Sequence, residues 1–120
     1  MALLADTSIW VDHLRGGLPA LQDALMDNEI VCHPFIIGEI ALGSLKDRET
    51  VLGLLSGLPQ LDMAEPSDIR HMIDAKGLYS RGIGYVDAAL IASALIRPRV
   101  RIWTKDKRLS AVAEELGIGR

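Results

Sequence analysis

Short apolar runs alternate with longer segments of helical periodicity along this 120-residue chain, and this alternation limits the folds open to it. Four runs are typical of short buried strands, at residues 2–5, 29–33, 60–64 and 100–103. Strands that alternate with helices predict a parallel sheet with helices on both faces, joined by right-handed crossovers. We therefore expect an α/β fold, and the length suits a single domain over residues 1–120.

Helices are predicted wherever apolar residues recur at helical spacing between capping and breaking residues. The predicted helices span residues 9–14, 19–28, 34–43, 48–55, 69–79, 85–96 and 106–116. The segment 85–96 is apolar nearly all round, so we expect it to be buried. Apolar residues make up 49% of the chain and aromatic ones only 4%, which indicates a core of Leu, Ile, Val and Ala.

Several classes of protein are disfavoured by the composition. Cys32 is the one cysteine and lies in an apolar stretch, so we expect a small buried residue and no disulfide framework. The first residues lack the basic lead of a secretory signal, and Asp6 interrupts them early. The apolar stretches fall short of the roughly 20 residues that a membrane helix needs. We expect a protein of the cytosol with no membrane partner.

Acidic residues interrupt or follow four of the apolar segments. They are Asp6, Glu39, Asp87 and Asp106. Two of them follow the first and fourth strands, and the other two lie in the opening turns of helices that begin at the carboxyl edge of the sheet. Taken singly, each suits a helix cap or a surface position. Together they are predicted to converge at the edge where open α/β sheets place their sites.

Converging carboxylates repel one another, so without a cation at least one of them would take up a proton. A divalent metal ion removes this conflict. No histidine or cysteine partners these acids at ligand spacing, and an all-oxygen site favours Mg²⁺ or Mn²⁺ over Zn²⁺. Metal-assisted hydrolysis of a phosphodiester is the reaction that such a site suits.

Charge is divided unevenly along the chain. Residues 1–69 carry eleven acidic and three basic residues, and residues 70–120 carry five acidic and ten basic ones. Six bases form a stripe that could hold a phosphate backbone or serve as a solvated rim: Arg97, Arg99, Arg101, Lys105, Lys107 and Arg108. Trp10 and Trp103 could stack on bases, although a position within a strand makes Trp103 a better core residue.

Four short motifs carry a resemblance to a known family. They are Asp6-Thr7-Ser8 after a strand, Glu39 within Ile-Gly-Glu-Ile, Val86-Asp87-Ala88-Ala89-Leu90-Ile91-Ala92, and Thr104-Lys105-Asp106. In this order and spacing they resemble the PIN-domain ribonucleases, and the small format resembles the VapC-type toxins of toxin–antitoxin pairs. Leu109 departs from the pattern, because an aromatic residue is common after the last motif.

The resemblance implies a three-layer α/β/α sandwich whose central parallel sheet has four or five strands. It also implies Mg²⁺- or Mn²⁺-dependent endoribonuclease activity on structured RNA, a homodimer, and a cognate VapB-type antitoxin. The four acids match the family's acidic positions, Thr104 matches its hydroxyl, and Ser8 is a weaker hydroxyl candidate. RNA backbone contacts are expected from Arg99, Arg101, Lys105, Lys107 and Arg108.

Two alternatives stay open. A phosphoryl-receiver module has a similar length and an acid-bound Mg²⁺, but it needs adjacent acids after the first strand, where this chain has Asp6-Thr7-Ser8. It also needs an aspartate after the third strand, where Ala64-Glu65-Pro66 stands, and only Lys105 fits it. The second alternative is a catalytically silent scaffold with the same fold, although all four acids are present.

Overall fold

The computed structural model describes residues 1–120, and its centre is a small parallel sheet. The strands are β1 (Ala2–Ala5), β2 (Ile30–Val31) and β3 (Val100–Trp103), in the spatial order β2-β1-β3. In register, Leu3 lies opposite Ile30 on one side and Arg101 on the other. Because β1 is paired along both edges, its residues Leu4 and Ala5 are fully buried.

The expectation of four or five strands is wrong, because only three form. At the predicted strand 60–64, Gln60 alone makes a parallel bridge, to Cys32. The Cys32 N–H donates to the Pro59 carbonyl, and the Leu61 N–H donates to the Cys32 carbonyl, both at 2.8 Å. After Cys32 the chain enters a helix at Pro34, so β2 is too short for more residues of the segment 60–64 to pair with it. A similar single bridge, between Ile102 and Gly119, extends the other edge of the sheet.

All seven predicted helices are present, with ends that differ from the prediction by a few residues. They are α1 (Thr7–Gly16), α2 (Pro19–Met26), α3 (Pro34–Ala41), α4 (Arg48–Gly57), α5 (Pro66–Ala75), α6 (Tyr85–Ile96) and α7 (Lys107–Glu115). Helix α5 shows the largest difference, because it starts at Pro66, which suits the first helical position. It ends before Gly77, whose positive φ of 63° turns the chain.

Helices flank the sheet and bury its apolar residues. Helix α1 packs on β1, while α6 and α7 pack on β3. The predicted burial of α6 is confirmed, since seven of its residues are buried. Cys32 is fully buried as expected, and burial raises the pKa of its thiol. None of the helices has the length and apolar character needed to cross a membrane.

Candidate active site

Asp6 is held rigidly where β1 ends and α1 begins. It is the N-cap of α1, and its Oδ1 accepts hydrogen bonds from the Ile9 N–H at 3.3 Å and from the Ser8 hydroxyl. Its Oδ2 accepts from the Thr104 hydroxyl. The residue is only 6% exposed. A buried carboxylate needs such partners, and together they fix its orientation at the edge of the sheet.

Asp106 holds the equivalent position after β3. It is the N-cap of α7, and its Oδ1 accepts from the N–H groups of Arg108 and Leu109 at 2.9 Å and 3.0 Å. The Asp106 N–H donates to the Thr104 hydroxyl at 3.0 Å. Thr104 thus connects the two aspartates, because the same hydroxyl donates to Asp6. The Oδ2 atom of Asp106 has no hydrogen-bond partner in the protein.

Asp87 lies in the first turn of α6 and is half-buried. Its Oδ2 accepts from the Gly84 N–H at 3.1 Å, while Oδ1 makes no hydrogen bond within the protein. Burial raises the pKa of this carboxyl, and the negative charges of Asp6, Asp106 and Glu39 raise it further. The charges of all three other predicted acids therefore act on Asp87, so the four carboxylates are close enough to interact electrostatically.

Glu39 lies on α3 and is exposed, as Asp106 also is. Its Oε1 accepts from the Thr7 hydroxyl at 2.6 Å, which ties α3 to the start of α1. In the sequence, Thr7 was named only as part of the motif Asp6-Thr7-Ser8, and its position directly after Asp6 was the signal for this contact with Glu39. The other carboxylate oxygen of Glu39 has no partner in the protein.

The four acids form a loose cluster that carries uncompensated negative charge. As they stand, no three His, Cys, Asp or Glu side chains are close enough together to hold one ion. Neither ion pair of the protein includes any of the four, since Lys105 pairs with Asp12 and Arg81 with Glu115. Burial first, and then the negative charges of the other three acids, raise the pKa of Asp87. The donor set is all oxygen with three unused carboxylate atoms, which fits Mg²⁺ or Mn²⁺.

The basic stripe of the sequence is divided in space by β3. A four-residue strand spans roughly 13 Å, so residues before it lie at the opposite edge of the sheet from residues after it. Arg97 and Arg99 precede β3, and the Arg101 guanidinium donates to the Gly119 carbonyl at 3.1 Å. At the acidic edge lie the exposed side chains of Lys105, Lys107 and Arg108. The stripe is therefore two separate groups of cations.

The parallel sheet and the acids at its carboxyl edge define a class of small α/β proteins with a carboxylate-built site. Within this class, the family model of the PIN domain matches residues 3–115. The chain belongs to the PIN domain family, as the sequence motifs predicted.

Two curated relatives are similar over nearly the whole chain. Both are named Ribonuclease VapC32, from Mycobacterium tuberculosis strains CDC 1551 / Oshkosh and H37Rv. Each is 41% identical to this chain over 116 residues, which is 97% of this chain and 94% of the relative. The similarity therefore extends far beyond the four short motifs.

Proposed function

We propose that this single-domain protein is a Mg²⁺- or Mn²⁺-dependent endoribonuclease, the cytoplasmic toxin of a VapBC-type pair. Membership of the PIN domain family and the ribonuclease name of its relatives support the reaction class. The observation that carries the proposal is the convergence of the acids at one edge of the sheet, where the Thr104 hydroxyl joins Asp6 and Asp106 and neither ion pair of the protein includes any of the four. The same membership weighs against a phosphoryl-receiver module.

Each acid has a role in this proposal. Asp6, Asp87 and Asp106 would hold the ion or ions, and Glu39 would contribute directly or through water. A divalent ion bound there would lower the pKa of a water molecule and offset the charge of the phosphodiester. Thr104 keeps Asp6 and Asp106 aligned through its hydroxyl, and Asp6 keeps its orientation because Ser8 and the start of α1 hold it.

The best test is direct sequencing of RNA ends after brief induction of the protein in cells. We expect a small set of enriched new ends with wild type and none with Asp6→Asn, which keeps the oxygen that caps α1. Co-expression of a cognate antitoxin should suppress the new ends. Equal ends from both proteins, at equal expression, would show that the cleavage does not come from this site.

RNA is proposed to approach along the cations of the acidic edge, which are Lys105, Lys107 and Arg108. Arg99 precedes β3 at the opposite edge, and Arg101 lies within β3 with its guanidinium bonded to the Gly119 carbonyl, so we propose that they contact only an RNA long enough to reach past the sheet. Each phosphate contact with single-stranded RNA contributes about 0.7 to the salt slope of binding.

The double variant Lys107→Gln/Arg108→Gln should bind a short RNA more weakly, with a salt slope shallower by roughly 1.4. The matched control is Arg97→Gln/Arg99→Gln, which removes the same charge at the other edge and should leave the slope for a short RNA unchanged. Filter binding or fluorescence anisotropy at several salt concentrations measures both. Equal effects of the two double variants would mean that the cations act only through net charge.

A protein partner is supported by an apolar groove between α1, α2 and α4. The groove has a volume of about 240 Å³, and Leu14, Leu54 and Leu58 contribute to its walls. Leu54 is 70% exposed, and the buried indole N–H of Trp10, also in this wall, has no acceptor. We propose that the antitoxin covers part of this surface. We also propose a homodimer, for which the exposed apolar residues offer further surface.

A further inference from the structure

The chain has five aromatic side chains of Phe, Trp and Tyr, and the only two that are exposed lie at or just before the start of α6, the helix that carries Asp87. The stacking role considered for the tryptophans is not available, because Trp10 and Trp103 are 5% and 8% exposed and belong to the core. Tyr79 and Tyr85 are instead 65% and 53% exposed. Exposed aromatic rings next to a nuclease site are candidates for contact with bases.

Both tyrosines line the same depression between α5 and α6. Its volume is about 230 Å³, below the roughly 300 to 1,000 Å³ of sites for drug-sized ligands. Apolar walls come from Leu78, Ile83 and Ala88. The hydroxyls of Ser80 and the two tyrosines are its few polar side-chain groups. The depression therefore suits one flat, largely apolar group the size of a single ring system.

The depression and the acidic site share the first turn of α6. Gly84 and Ala88 line the depression, and the Gly84 N–H holds the Asp87 carboxylate at 3.1 Å. Tyr85 and Asp87 are two residues apart, so their side chains leave the helix in nearly opposite directions, about 200° apart around its axis. Gly84 is therefore the link between the depression and the Asp87 carboxylate. A nucleotide whose base enters the depression can extend its phosphate past Gly84 toward that carboxylate.

The segment that carries Tyr79 is fixed to α7 rather than free. Arg81 forms a two-point ion pair with Glu115, with both N–O distances at 2.9 Å. The Arg108 side chain lies over Gly82, so close that a Cβ there would be 2.7 Å from the Arg108 Cδ. Gly82 has a φ of 80°, which suits glycine. These contacts connect the loop that carries Tyr79 to α7, and they place the Arg108 side chain next to Gly82, one residue before Ile83 of the depression.

We propose that this depression binds one unpaired nucleobase of the RNA by stacking on Tyr79 and Tyr85, and so positions the adjoining phosphate at the acids. The inference rests on the proposed ribonuclease function and narrows its substrate to RNA that is unpaired next to the cut. Stacking tolerates any base, and the walls of the depression offer few polar groups to distinguish one base from another. The depression should therefore discriminate strongly between unpaired and paired bases and only weakly among the four bases.

Binding without cleavage tests the inference directly. In EDTA, wild type should bind a short oligouridylate more tightly than an abasic ribose-phosphate oligomer of the same length. Tyr79→Ala and Tyr85→Ala should each weaken binding of the oligouridylate by roughly 5-fold or more and leave the abasic oligomer unchanged. The Tyr→Phe variants should keep wild-type affinity, because the ring is retained. Met26→Ala, which trims a 74% exposed side chain on α2, is the matched control.

Two results would overturn the base pocket: equal binding of both oligomers by wild type, or equal loss of both in the alanine variants. The affinity for a fully paired RNA duplex should be the same in wild type and in the tyrosine variants. A lower affinity of the variants for the duplex would also contradict the inference. Base-dependent binding together with no cleavage in the presence of Mn²⁺ would overturn the nuclease assignment alone. Circular dichroism of each variant confirms that the fold is retained.

Discussion

Asp87→Asn should abolish RNA cleavage and at the same time raise the melting temperature of the metal-free protein. The pKa of Asp87 is raised in the folded state, first by burial and then by the charges of Asp6, Asp106 and Glu39. The folded protein therefore binds this proton more tightly than the unfolded chain does. The stabilisation from this bound proton is fully present at a pH below the pKa that Asp87 has in the unfolded chain. It is lost as pH rises through the higher pKa that Asp87 has in the folded protein. At neutral pH the ionised carboxylate destabilises the protein.

Asparagine removes that charge but keeps an oxygen to accept the Gly84 N–H. We expect a rise of a few degrees in melting temperature at pH 7 in EDTA, and little difference from wild type at acid pH. Cleavage should fall by more than the roughly 10- to 100-fold that is typical when a residue behind a metal ligand is lost. Thermal melts over a pH series and single-turnover cleavage measure the two effects.

Asp23→Asn is the matched control for this experiment, because it removes one negative charge from an exposed position on α2. It should change neither the pH dependence of stability nor the cleavage rate. A fully active Asp87→Asn protein would remove Asp87 from the site. A melting temperature lowered at neutral pH would show that the carboxylate is compensated by a charge within the protein.

Removal of divalent ions should eliminate cleavage, and Mg²⁺ or Mn²⁺ should restore it. The same ions should raise the melting temperature of wild type, since a ligand at 100 times its Kd stabilises the folded state by about 2.7 kcal/mol. The gain should be much smaller in Asp87→Asn. Because an ion must displace the proton that Asp87 retains, its apparent affinity should fall as pH is lowered toward the raised pKa of this carboxyl.

Calorimetric titration of Mn²⁺ at two pH values, with thermal melts alongside, measures this coupling. Lys105→Gln provides a matched variant, since its ammonium is engaged with Asp12 at 2.6 Å and not with the four acids. It should bind the ion as wild type does. If neither ion changes the melting temperature or the cleavage of RNA, the protein is a scaffold that keeps the fold without the reaction.

Parallel topology explains why the sequence predicted the site better than the sheet. The end of a strand and the start of a following helix fall at one edge, so the positions of Asp6 and Asp106 could be inferred from their order alone. Strand 60–64 could not be judged in the same way, because its pairing depended on how few residues β2 offers.

The sequence did not reveal the features of the surface that depend on side-chain exposure or on distances across the fold. The basic stripe is continuous in sequence, but its members are separated by the length of an extended strand. The tyrosine depression has no sequence signal beyond two aromatic residues near a turn, because exposure is decided by how α5 and α6 pack. Helix α6 and strand β3, whose patterns are set by strong local signals, have the predicted bounds.

Three of the four acids also hold the beginning of a helix, with Asp6, Asp87 and Asp106 each accepting a backbone N–H. Natural selection would therefore retain an oxygen acceptor at these positions even in a descendant that no longer degrades RNA. Inactive members should carry Asn or Ser there more often than Ala, since Ala at a helix cap costs about 1 kcal/mol. A polar residue retained at these three positions is therefore expected from folding alone, and only a retained acidic residue bears on the proposed catalysis.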